Sequence, residues 1–103
     1  VTFVVRLHAN AQRDFWEAQA YYDPEAPDQT ERFIDEFFGT VRLLAEFPYS
    51  SPELRRGARR ANLPVFPYQL WYLIDDAAKI VQVIAVLHHR QDPARLNPRL
   101  GLP

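Results

Sequence analysis

The sequence predicts an α+β fold, a two-layer sandwich in which a helical hairpin covers one face of a small sheet. Three observations predict it. The opening run Thr2 to His8 is rich in β-branched and aromatic residues, as strands are. Two stretches with helical apolar spacing follow. The last third holds two long apolar runs, Phe66 to Ile74 and Ile80 to Leu87, joined by Asp75-Asp76-Ala77-Ala78-Lys79. The order is an N-terminal strand, two helices and a C-terminal three-stranded antiparallel meander (β-α-α-β-β-β). The first strand is expected to pair a later one.

Asn10 is a suitable N-cap for a first helix from Ala11 to about Tyr22. Ala11, Phe15, Ala18 and Tyr22 give it one apolar stripe. Asp23-Pro24 ends it, because a residue before proline avoids the helical region. The second helix is expected from Pro27-Asp28 to about Phe47, with Ile34, Phe37, Phe38, Val41, Leu44 and Ala45 inward and Phe33 on the edge. A short strand is expected near Ala58 to Leu63. Pro64 and Pro67 keep Val65-Phe66 extended but outside a fully paired strand. From Tyr68, alternation puts Tyr68, Leu70, Tyr72 and Ile74 on one face. In the last strand it puts Ile80, Gln82, Ile84, Val86 and His88 on one face, and Val81, Val83, Ala85, Leu87 and His89 on the other. Both faces are largely apolar, so this strand is central. Residues 1–93 make one domain, and 94–103 an irregular tail.

With 103 residues the chain has the length of one domain. It has no Cys, so neither a disulfide nor a thiolate site is available, which suits a cytoplasmic setting. No apolar run nears the roughly 18 residues that a membrane helix needs. Nothing in it resembles a Cys cluster, a Gly-rich phosphate loop or an HExxH helix, so no metal or nucleotide cofactor is expected. The net charge of −1 hides a segregation. From Asp14 to Glu53 there are 10 acidic and 2 basic residues, a balance of −8. From Leu54 to Ile74 there are 4 Arg and no acid. Such a molecule can present a cationic face and stay soluble.

The candidate site residues follow from that face. The last strand runs into His88-His89-Arg90, which places imidazoles and a guanidinium at a sheet rim. Arg59 and Arg60 lie on the preceding basic segment. Arg59, Arg60, His88 and Arg90 are therefore the candidates for binding an anion or an acidic target. For acid–base chemistry the candidates are His88, His89 and Arg90, because histidine titrates near neutrality. Neighbouring strand residues point to opposite faces, so His88 and His89 cannot both aim at one phosphate. One of Arg59 and Arg60 is expected to pair with a helix acid such as Asp14 or Glu17. Trp71 is a candidate anchor for a partner helix, since interfaces favour tryptophan.

The chain resembles the RelE/ParE superfamily of type II toxin–antitoxin toxins, in particular the ParE-like (plasmid stabilisation) branch. The residues that carry the resemblance are Ala11-x-x-Asp14-Phe15-x-x-Ala18-x-x-Tyr21-Tyr22, Arg32-Phe33, and Leu44-x-x-Phe47-Pro48. Arg59-Arg60 and Leu63 follow, then Phe66-Pro67-Tyr68-x-Leu70-x-Tyr72, and Val86-x-His88-x-Arg90-x-Asp92-Pro93 closes the pattern. The resemblance implies a cognate antitoxin as partner and a toxin–antitoxin hetero-oligomer. It further implies a toxin that binds and inhibits DNA gyrase without a catalytic centre. Two alternatives go with it: a ribosome-dependent mRNA endoribonuclease of RelE type, and an attenuated, non-toxic member. The Lys-rich pattern of RNA-cleaving members is missing, Lys79 being the only lysine.

Overall fold

A computed structural model describes residues 2–22 and 27–101. The chain builds β1 (Val4–Leu7), α1 (Ala9–Tyr22), α2 (Pro27–Glu46), β2 (Glu53–Arg55), β3 (Ala58–Asn62), β4 (Tyr68–Asp75) and β5 (Ile80–His88). Short 3-10 turns follow α2 at Pro48–Ser50 and follow β5 at Pro93–Leu96 and Pro98–Leu100. The strands form one sheet in the order β1-β5-β4-β3-β2. Neighbours are antiparallel except β1 and β5, which run parallel in the register Val5 to Val81 and Leu7 to Val83. The α+β class and the pairing of the first strand with a later one are as expected, and the sheet is mixed. No hairpin joins β1 to β5, so nothing forces them antiparallel.

One strand was not foreseen. Arg56 and Gly57 take φ values of 48° and 82°, so the segment Glu53 to Asn62 is a hairpin with a two-residue turn of type I′. That turn usually shows as Asn-Gly, and Arg-Gly hides it.

α1 starts earlier than its expected cap. It begins at Ala9, and the His8 imidazole does the capping: Nδ1 accepts from Asn10 N at 3.2 Å. Asn10 is inside the helix. The expected stop at Asp23-Pro24 lies outside the described residues. Ala11, Phe15 and Ala18 are buried as expected. Phe15 stacks on Phe37 at 4.2 Å while Tyr22 meets Phe33 at 5.7 Å, so the two helices run antiparallel.

α2 is rotated from its expected setting. Its buried positions are Thr30, Phe33, Phe37, Thr40 and Leu44, a regular three-and-four stripe. Phe33 is at the centre of that stripe, against Phe15, Tyr22, Phe66 and Tyr68, while Phe38 is exposed. Two threonines replace the apolar residues that hydropathy favours. Thr40 can be buried because its hydroxyl donates to Glu36 O at 3.0 Å.

A β-bulge corrects the facing of β5. Trp71 pairs Ala85 and Tyr72 pairs Val83, which leaves Ile84 as an extra residue. Ile84 therefore does not share a face with Val86 and His88. Val81, Val83 and Val86 pack toward the helices, and Ile84, Ala85 and Leu87 pack on the other side.

Each face of the sheet consequently has its own core. The helices cover Leu70, Tyr72, Val81 and Val83, and the Tyr72 hydroxyl donates to Pro48 O at 2.8 Å. The opposite core holds Ala58, Trp71, Ile84, Ala85 and Leu87, closed by Leu96. Within the segment expected to be an irregular tail, the described residues form two 3-10 turns that lid this core. Asp92 starts the first turn, its Oδ1 accepting from Ala94 N at 2.9 Å.

Candidate functional site

Beyond Val83, β5 has no strand on its β1 side, and side chains satisfy the exposed backbone instead. Arg99 Nη1 donates to Ile84 O at 3.0 Å, Val86 N donates to Asp14 Oδ2 at 3.0 Å, and His88 N donates to Gln91 Oε1 at 2.7 Å. Arg99 also grips Asp14 with both nitrogens, at 2.6 and 3.1 Å. One carboxylate therefore joins α1, the bulged strand and the C-terminal turns. One of Arg59 and Arg60 was expected to pair with a helix acid such as Asp14 or Glu17; instead Asp14 pairs with Arg99, and the acid beside Arg59 is Glu53 of β2. The signal for Arg99 was weak, because it lies among prolines in a stretch without strong periodicity.

Next to this junction is a cleft of about 380 Å³, with Asp14, Glu17, Tyr21, Tyr68, His88 and Arg90 among its walls. His88 reaches it because the bulge turns the end of β5 toward α1. Its ring stands edge-on to Tyr68 at 5.1 Å. His88 Nδ1 accepts from Arg90 N at 3.0 Å, which leaves the proton of the neutral ring on Nε2. Burial, helped by the nearby Arg90 and His89 charges, pushes the His88 pKa down, so the ring is neutral at physiological pH. Burial likewise pushes the Tyr68 hydroxyl up to about 12, with smaller contributions from Tyr22 and Tyr21.

The sequence candidates are only partly gathered: His88 and Arg90 line the cleft, with His89 beside them, and Arg59 and Arg60 lie elsewhere. His88 faces α1, and His89, exposed in the turn after β5, stands edge-on to it with ring centroids 6.5 Å apart. Arg59 is on the helical side but opposite Tyr72, whereas His88 is opposite Tyr68. Four residues along β4 and two strand spacings separate them, roughly 16 Å at the backbone. Arg59 is fully engaged: it donates to Ser51 O, approaches Glu53 at 3.6 Å and lies over the Tyr49 ring at 5.0 Å. Arg60 is on the opposite face, 5.8 Å over the ring of Trp71. Trp71 itself is only 2% exposed, and its Nε1 donates to Gln69 Oε1 at 3.2 Å. Its indole is a core residue of this chain and offers a partner little surface.

What the sequence left out is as informative. Arg55, unremarkable within its basic run, donates to Asn97 Oδ1 at 2.8 Å and ties the β2–β3 hairpin to the C-terminal turns. Glu36 on α2 accepts from Val65 N and Phe66 N at 2.7 and 2.9 Å, which fixes the proline-bracketed loop before β4. Among the described residues, no three His, Asp or Glu side chains converge as a metal site. No described helix is long and apolar enough to cross a membrane.

The polar cleft beside α1 sits on a fold, a helical hairpin on one face of a mixed five-stranded sheet, that is shared with known proteins. Residues 5–93 match the model of the ParE toxin of type II toxin–antitoxin systems, parDE. The chain is 30% identical over 98 residues to Toxin ParE2 of Mycobacterium tuberculosis, covering 94% of this chain and 91% of that protein. Among solved structures it is similar to a chain of the chromosomal ParDE toxin–antitoxin system from P. aeruginosa. The TM-score there is 0.72 at 14% identity, over 84% of this chain and 96% of that one. It is also similar to a chain of the toxin–antitoxin complex RelBE2 from Mycobacterium tuberculosis, with a TM-score of 0.60 and 27% identity. That match covers 85% of this chain and 99% of the other. The chain belongs to the ParE toxin family of type II toxin–antitoxin systems.

Proposed function

We propose that this toxin acts in the cytoplasm by binding DNA gyrase, and that a cognate antitoxin neutralises it by covering its helical layer. The observation that carries a binding mechanism is that the cationic candidates Arg59 and Arg60 lie away from the His88 cleft. Cleavage of RNA through its 2′-hydroxyl needs a base, an acid and cations around one phosphate. Here Arg59 is engaged by Ser51 O and Glu53, four residues along β4 from the level of His88, and Arg60 lies on the opposite face of the sheet. Family membership supports gyrase as the target. The antitoxin is supported by the toxin–antitoxin complexes to which similar chains belong.

The helical layer has the character of a protein-binding surface. It exposes Trp16, Tyr21, Phe38 and Leu43, with Trp16 64% exposed. Exposed aromatics of this size are typical interface anchors. Trp16→Ala is expected to weaken antitoxin binding by about 2 kcal/mol, measured by calorimetry on the refolded toxin.

The direct test is a supercoiling assay with purified gyrase, relaxed plasmid and ATP, titrated with toxin in the presence and absence of antitoxin. Inhibition or trapped cleaved DNA, reversed by antitoxin, is the expected result. No inhibition, together with mRNA cleavage on programmed ribosomes, would replace this reading with the endoribonuclease. Silence in both assays would leave an attenuated member.

A further inference from the structure

We infer that the sheet face carrying Arg55 and Arg60 is a docking surface for the phosphate backbone of duplex DNA. Both guanidiniums are partly buried, and both are positioned by neutral groups. Arg60 lies over the Trp71 ring, and Arg55 is held by the Asn97 amide oxygen. Neither has a carboxylate within 4.0 Å among the described residues, the ion pairs there being Arg59–Glu53, Lys79–Asp76 and Arg99–Asp14. The partly buried Arg59 and Arg99 thus have acids, while Arg55 and Arg60 are set in place with their charge unanswered. A pre-oriented fork without a counter-charge suits an oxygen anion from outside.

Register puts the two on one surface. Arg55 is opposite Ala58, and Arg60 is two residues further along β3 on the same face. They are one strand across and two residues along, roughly 8 Å apart at the backbone. Asn62 and Gln69 belong to the same face and are cross-strand partners. Arg56 is at the exposed hairpin tip, and Arg95 is exposed on the adjoining turn. The acid nearest in sequence to that turn, Asp92, is occupied as its cap.

The composition of this face favours phosphate over an acidic protein segment. Protein interfaces form around apolar anchors that bury on contact. The aromatic ring here is Trp71, which Arg60 and the chain's own core already cover. What the surface offers is guanidinium and amide, the groups that contact nucleic-acid backbones. The choice of DNA over RNA rests on the gyrase reading, since gyrase holds duplex DNA.

The experiment measures binding of toxin to a labelled duplex of about 20 base pairs across a salt series, with no gyrase present. Binding that weakens with salt is expected. Arg55→Ala and Arg60→Ala should each lower the log–log salt slope by about one, and the double variant should bind about tenfold more weakly at low salt. Arg60→Lys keeps the charge and should keep the slope while losing affinity. Arg42→Ala, on α2, should change nothing, and thermal melts confirm that each variant is folded. Undiminished binding by the double variant would overturn the inference. So would equal affinity for polyglutamate of matched charge, which would assign the face to an acidic protein segment, or tighter binding to single-stranded RNA. Gyrase inhibition is read separately. Inhibition without DNA binding would strike this inference alone, and DNA binding without inhibition would strike the gyrase reading alone.

Discussion

The two faces of the sheet are closed in different ways. The helical side is covered by α1 and α2, whose rings interlock with the sheet through Phe15, Phe33, Phe37 and Tyr68. The other side is covered by two 3-10 turns that contribute Leu96, with Leu100 partly buried beside it. Periodic apolar residues close the first. Polar ties close the second, chiefly Arg99 to Asp14 and Arg55 to Asn97. The outer surfaces differ as well. α2 carries five acids against two arginines, while β2 and β3 with their turn carry four arginines against one glutamate. The two proposed partners accordingly fall on different sides, a protein on the aromatic, acidic side and a polyanion on the basic one.

The largest expected effect tests the first closure. Phe33→Ala removes a fully buried ring from the aromatic cluster and should cost about 3–5 kcal/mol, read from chemical denaturation. The second closure is tested by Leu96→Ala. If the C-terminal turns lid a true core, the loss should be about 2–4 kcal/mol; a change near zero would make the turns a loose covering. Next comes the tie between the faces. Arg99→Ala leaves Asp14 without its cation and Ile84 O without its donor, and about 2 kcal/mol is expected after allowance for partial exposure. A double-mutant cycle with Asp14→Asn should return a coupling of about 1–2 kcal/mol; additive effects would dissolve the tie.

A smaller effect comes from His88. Its folded pKa is below the unfolded value of about 6.5. On acidification the unfolded chain takes up the proton first. Stability is therefore full above the unfolded pKa and declines as pH falls through it toward the folded pKa. His88→Gln should flatten the fall in melting temperature between about pH 7 and pH 5, and an unchanged slope would place the effect on other groups. The smallest effect is a gain. Arg56→Asn, at φ 48° in the type I′ turn, should stabilise the β2–β3 hairpin by about 0.5–1 kcal/mol.

The helical face was largely legible in the sequence and the other face largely was not. Ala11, Phe15 and Ala18 mark the inner stripe of α1 because helical spacing is regular and their neighbours are polar. The setting of α2 was misread by part of a turn, because hydropathy ranks Phe38 above Thr40. A backbone hydrogen bond is what lets Thr40 go inside. Alternation in β4 read correctly. In β5 it failed at Ile84, where one extra residue exchanges the faces and nothing in an unbroken apolar run marks the place. The second core was hidden because its cover is short and held by long-range polar contacts, which leave no local period. The site followed the same division. His88 and Arg90 were readable as a rim. The pairing of Arg59 with Glu53 depends on the β2–β3 hairpin, whose Arg-Gly turn disguises it.

The Asp14–Arg99 contact joins residues 85 positions apart. Closing so long a loop is entropically unfavourable, though its cost grows only slowly with length. During synthesis α1 is complete long before Arg99 exists. Until Arg99 arrives, Asp14 has no cation, the Ile84 carbonyl has no donor, and the second face of the sheet has no lid. Contacts of such range slow folding. The tie between the two faces of the sheet is complete only when the last arginine reaches the first helix.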